Sequence, residues 1–495
     1  LTNISDISLP GNLLNVNLFI DKSGNLSDIT PDESYNISDE IAPNQSIIIG
    51  NSSNLITNIH PSSISVTNNA ITNFNGGNDI IILSSSADGT SWANRTDVIE
   101  SITDNSSSVR VDESDSSNSS YNHSNWITFI DDNLDPYEEL ANGGPKRHPH
   151  APLISEVENA TNDSNIQLGY HRIQETSRKA SSWSNGVPDR SRRVIINEDY
   201  IHSDSSLSAR QLNINNNAIL SIGDQPLIVS ENITIETGSE IRLIGTSQLI
   251  STHSSISKVS GRGKLHVDQN SEVASTYRYN YLSSPVNTIG QSTFTLANVI
   301  KDGTIPTSNS SQPSDIKFIT EYNGSATSPI SISERWLYTY DSSTLWREIN
   351  STTTISETDG FTFKGPGQEQ NYTFVGTPKD GNLTTNIAAG GYYLVGNPYA
   401  SAIRAKKFIE DNLDATTATL YFWDNYGEDP TNHENADDYG GYATINASMS
   451  VASIEGDLVP GDYIAIAQGF FIIGSPDGGN IVFNNSQREY KIEGD

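Results

Sequence analysis

The sequence predicts an all-β chain built of modules in series: an immunoglobulin-like sandwich, a short β-solenoid or meander, and a larger C-terminal β-sandwich. Three observations lead there. Ile, Val, Tyr and Phe fall in short runs separated by Asn, Ser, Thr, Asp and Gly, residues that favour turns and weaken helix interiors. Hydrophobic residues are only 34% of the chain, which suits thin β layers better than thick helical cores. Finally, 495 residues exceed what one core organises, and the rhythm of the apolar residues changes twice along the chain.

Residues 1–144 carry short apolar stretches, among them SIII at 46–49, IIIL at 80–83 and WITFI at 126–130, split by Asn, Gly, Pro and Asp clusters. That spacing describes an antiparallel sandwich. Residues 145–182, with PKRHPH and YHRIQETSRKA, lack an apolar period and read as a linker or extended arm. In 183–276 apolar pairs recur about every eight residues, as repeats do: Leu212/Ile214, Leu220/Ile222, Leu227/Val229, Ile233/Ile235, Ile241/Leu243, then Leu249. Strands so short bury a continuous core only when stacked, as in a solenoid; a meander of hairpins has the same periodicity. Residues 277–495 concentrate the aromatics, and a larger β-sandwich is their natural core. Within it, SAIRAKKFIEDNL at 401–413 places Ile403, Phe408, Ile409 and Leu413 on one helical face, with Ser401 as cap. The closing segment IVFNNSQREY at 481–490 reads as one strand.

Charge and composition exclude several functions. A formal net charge of -32 repels phosphate backbones and anionic lipid, so nucleic acid is not an expected partner. With no cysteine there is no disulfide framework, thiolate metal site or cysteine nucleophile. No apolar run reaches the roughly 20 residues of a membrane span, so no membrane insertion is expected. The chain starts at Leu1 and its one methionine is Met449, which reads as an internal portion of something longer.

Catalytic signatures are missing: no G-x-S-x-G, P-loop, H-E-x-x-H or dinucleotide fingerprint occurs. His148 and His150 stand one residue apart without a nearby carboxylate, as an exposed linker would have them. The acidic run 424–438 offers Asp424, Glu428, Asp429, Asp437 and Asp438 as oxygen ligands, and calcium is the cation such a loop would hold. Its spacing departs from the twelve-residue calcium loop, and a solvated acidic loop is the competing reading. Asp112, Glu113 and Asp115 form a weaker acidic cluster that reads as a polar turn. Trp346 and Trp423, with Tyr421, could stack on sugar rings, although alternating apolar context more often marks buried strands. N-x-S/T triplets at Asn94, Asn232, Asn323 and Asn371 are candidate glycosylation sites in expected turns.

Two stretches resemble known families. IAPNQSIIIGN (41–51), FNGGNDIIILS (74–84), Asp97-Val98-Ile99 and SNWITFIDDNLDPYEEL (124–140) resemble, in order, the lamin-tail domain of secreted bacterial proteins. The resemblance implies an immunoglobulin-like sandwich with Phe74 and Trp126 in its core, and a first strand cut away or supplied from elsewhere. WSNGV (183–187), Val194-Ile195-Ile196, YNYLSSPV (279–286), FVGTP (374–378), YLVGNPYASAI (393–403), LYFWD (420–424), AQGFFI (467–472) and VFNNSQR (482–488) resemble large surface proteins of Bacteroidota exported by the type nine secretion system. This implies a secreted or cell-surface protein and brings no functional residues with it. The expected role is a non-catalytic structural or adhesive element, in a filament or stalk, whose partners are copies of itself or neighbouring surface proteins joined by strand addition. The alternative is an accessory glycan-binding portion of a secreted hydrolase.

Overall fold

The computed structural model describes residues 17–22, 31–42, 47–51, 64–72, 79–84, 95–102, 106–110, 120, 126–130, 174–180, 182–184, 187–188, 192–253 and 256–492, except 428–429 and 435–439. The fold is nearly all β, as expected, and divides into two units: 1–176 with 185–193, and 177–184 with 194–495.

The first unit is built on a four-stranded antiparallel sheet ordered Glu33–Asn36, Asn17–Asp21, Asp79–Ser84 and Arg95–Ile102. Ile20, Ile80, Ile82 and Val98 are buried, so the expected alternating runs do form the core face. Phe74, Asn94, His148 and His150 lie outside the described residues, as do Asp112, Glu113 and Asp115.

The second unit begins with the expected solenoid. The pairings are parallel, which a hairpin meander cannot produce. Leu212 pairs with Ile233 and Leu220 with Ile241, each about 21 residues on, as in stacked coils. The eight-residue rhythm is therefore one side of a three-sided coil, and three sides make a turn. Leu212, Ile214, Leu220, Ile222, Leu227, Val229, Ile241 and Leu243 are all essentially inaccessible. Gly238, at φ 89, closes a corner that an L side chain would strain.

The sheet does not stop at the boundary expected near residue 276. The last coil strand, Lys264–Ser271, pairs antiparallel with Gln370–Pro378 over seven positions, from Leu265 opposite Gly376 to Ser271 opposite Gln370. One hydrophobic core runs from Val194 to Ala467 across this joint. A second core, around Phe408, Phe470 and Phe483, lies under a five-stranded sheet ordered Tyr392–Gly396, Gly469–Gly474, Thr416–Asn425, Gly440–Asn446 and Ser450–Val451.

Two local expectations need correction. The helix is Ala405–Asp411, with Arg404 at its N-cap, and Ser401 does not cap it. Ser401 instead accepts a hydrogen bond from Arg488 Nε at 3.2 Å, and Ala402–Arg404 is a strand held between Tyr463–Ile464 and Arg488–Glu489. Pairing on both sides outweighs the helical propensity of those three residues. Phe408 and Ile409 are buried as expected, but Leu413 is exposed. The segment 481–490 is likewise not one strand: a 3-10 turn at Asn485–Gln487, closed by a capping box from Asn484, separates Gly479–Phe483 from Arg488–Glu489.

Candidate functional site: an aromatic cleft

On the strand Thr416–Asn425 the side chains alternate. Leu420, Phe422 and Asp424 point into the molecule and are buried, leaving Tyr421 and Trp423 on the outer face. The register places Phe471 beside Tyr421 and Tyr442 beside Trp423 on that face, and Tyr392 extends it along the neighbouring strand. The hairpin of Tyr338–Asp341 and Leu345–Glu348 supplies the opposite wall. Tyr340 and Trp346 are directly opposed in it, with ring centroids 5.0 Å apart.

Phe471 is the floor. It is 6% exposed and has Tyr340 at 5.1 Å, Tyr442 at 5.7 Å, Trp346 at 5.9 Å and Tyr281 at 6.2 Å. The rim is open: Trp346 is 44% exposed, Tyr392 52% and Tyr442 39%. The space enclosed is about 200 Å³, lined by Tyr340, Trp346, Tyr392, Tyr421, Tyr442 and Phe471. The hairpin tip is shaped by Asp341, whose Oδ1 accepts from the backbone N–H groups of Ser343 (2.8 Å) and Thr344 (2.9 Å). Burial by itself would raise the Asp341 carboxyl; hydrogen bonds from the Ser343 and Thr344 hydroxyls, then from those backbone N–H groups, hold it below its ordinary value.

Trp423 stands behind the cleft rather than in its lining. Its ring packs on Tyr281 and Tyr442, and its Nε1–H donates to Asn425 Oδ1 at 3.0 Å. Gly440 makes room for it, since a Cβ there would lie 2.1 Å from the indole. Of the two tryptophans singled out from the sequence, Trp346 thus lines the cleft and Trp423 props up Tyr442. Tyr340, Tyr392, Tyr442 and Phe471 were not legible as cleft residues, because the outward strand face becomes a cleft only when the hairpin crosses it.

The acidic segment behaves differently. Asp424 is buried and accepts from Ser453 Oγ at 2.8 Å, while Glu428, Asp429, Asp437 and Asp438 lie outside the described residues. Among the described residues no group of three or more His, Cys, Asp or Glu could hold a metal ion. The segment is anchored by His433, whose ring stacks on Trp336 at 4.3 Å and approaches Lys364 Nζ at 3.2 Å. Burial, then the Lys364 charge, brings the His433 imidazole down to about 4.

Of the described candidate sequons, Asn232 and Asn323 are exposed. Asn371 is not in a turn: it lies in the strand Gln370–Pro378, and its Nδ2 donates to the Gly303 carbonyl at 2.9 Å.

A family described as a domain of unknown function, DUF8693, matches residues 173–495, and the chain belongs to that family. No curated protein and no solved structure matches the chain. Among the described residues, no helix is long and apolar enough to cross a membrane.

Proposed function

We propose that this chain is a non-catalytic adhesive element of a bacterial cell surface or extracellular matrix, and that the aromatic cleft is where it holds a glycan. The observation that carries this reading is the ring of partly exposed Trp346, Tyr392 and Tyr442 around a buried Phe471. Rings with one apolar face and a polar rim suit a ligand that is itself apolar on one face and hydroxylated at its edge, as a pyranose is. A volume of about 200 Å³ falls below the roughly 300–1,000 Å³ of drug-sized sites and matches one or two sugar residues. Among the described residues the lining contains no carboxylate, imidazole or aliphatic hydroxyl, which favours binding over hydrolysis.

A glycan array followed by calorimetry tests the reading. Trp346→Ala should abolish the signal, and Ile305→Ser, an exposed position elsewhere, should leave it intact. An array without hits, or a signal indifferent to Trp346, would remove the cleft from the proposal.

Self-association by strand addition is a second reading. It is supported by the edge strand Ser450–Val451, flanked by exposed Met449, Ile454, Leu458 and Val459. Sedimentation over a concentration series that finds only monomer would argue against it. The cell-surface placement and the type nine export route rest on the resemblance of the motif series, and immunodetection on intact cells tests them.

A further inference from the structure

Where YNYLSSPV meets FVGTP, the short strand Val286–Asn287 pairs antiparallel with Gln370–Pro378, Val286 opposite Pro378 and Asn287 opposite Thr377. The ladder continues by one bond, from Lys379 N–H to the Pro285 carbonyl at 3.1 Å. Thr377 and Lys379 are two residues apart, so Lys379 and Asn287 share a face as diagonal neighbours, a separation of roughly 7–8 Å between Cα atoms that a lysine side chain spans. Gly376 permits this closeness: a Cβ there would lie 2.2 Å from the Asn287 carbonyl oxygen.

Both side chains are buried, Lys379 at 2% and Asn287 at 6% exposure, and both are poorly satisfied. Among the described residues Lys379 Nζ has one hydrogen-bond acceptor, the Glu357 carbonyl at 2.5 Å, and makes no ion pair. Its Nζ sits 4.4 Å from the centre of the Phe294 ring. Asn287 Oδ1 is buried without a donor, while Nδ2 donates to Glu357 Oε1 at 2.5 Å. Glu357 therefore touches the amine through its backbone and the amide through its carboxylate. An unpaired buried amine costs least when neutral; burial brings Lys379 down to about 7 against the opposing charges of Glu357 and Asp359.

We propose that Lys379 and Asn287 become joined by an intramolecular amide, with Glu357 carrying the proton. The neutral Nζ attacks Asn287 Cγ and forms the new C–N bond. Glu357 takes a proton from that nitrogen and hands it to Nδ2, the old C–N bond breaks, and ammonia leaves. Nothing is oxidised or reduced, and no co-reactant is required. The product ties the segment after the solenoid to the strand that continues the solenoid sheet, so force on one strand is carried covalently to the other.

The test is the intact mass of the purified, denatured chain, with tandem mass spectrometry of its digest. The expected result is a mass one ammonia below that of the sequence and a branched peptide joining Asn287 to Lys379. Glu357→Gln and Lys379→Arg should each return the full mass, with circular dichroism confirming that they fold. The wild-type chain decides even if they do not fold: a folded chain at full sequence mass overturns the proposal. A water loss mapping to Asp359 also overturns it, since the acceptor would then be a carboxyl and not the Asn287 amide.

Discussion

Arg488 and Asp380 face each other in the interior, Nη1 to Oδ1 at 3.5 Å, with neither side chain more than 2% exposed. Asp380 also meets His253 Nε2 at 2.8 Å and accepts from Lys258 N–H at 2.9 Å. Arg488 donates to the Leu249 carbonyl, to Asn485 Oδ1 and to Ser401 Oγ. One ion pair thus ties the solenoid's last turns to the final strand. Burial alone would raise the Asp380 carboxyl, but the His253 hydrogen bond and the Arg488 charge hold it well below the carboxylate range.

Removing one partner leaves the other charged and buried. Asp380→Asn should cost about 3–5 kcal/mol of stability, and Arg488→Met a similar amount, while the double variant should recover part of the loss. Chemical denaturation measures all three.

A pH dependence follows from His266, which lies 3.3 Å from Glu240 Oε2. Burial, helped by Arg242 and Lys264 and opposed by Glu240, lowers its pKa from 6.5 to about 4. The folded state keeps this imidazole neutral while the unfolded chain binds the proton, so stability is full above about 6.5 and falls as pH drops toward 4. His433 acts in the same window. Melting from pH 7 to 4 should show the decline, and His266→Gln should flatten part of it.

Leu345 sits at φ 56 with its side chain 59% exposed, just before Trp346. A bulky residue gains nothing there to offset the left-handed backbone. Leu345→Asn should raise stability by up to about 1 kcal/mol, read by thermal melting, and leave Trp346 in place.

Leu220 lies in the middle coil between Tyr200 and Ile241 and is fully buried. Leu220→Ala should cost about 2–5 kcal/mol. Because the coils share a core with Phe294, Phe361 and Phe374, the variant should unfold the coils and those strands in a single transition, as hydrogen exchange can show.

The sequence by itself determined the all-β class, the solenoid pairs and the inward Phe408 and Ile409, because periodicity along one strand or helix is a local property. It also marked Trp346. Tertiary structure alone decided that coils and sandwich share the sheet joined at Lys264–Ser271 and Gln370–Pro378, that Ala402–Arg404 is a strand, and that Asp424 turns inward. It alone brought Phe471 under Trp346, and Lys379 beside Asn287 and Glu357. Each depends on register between segments tens of residues apart, and the pattern within either segment does not specify which face of its partner it meets.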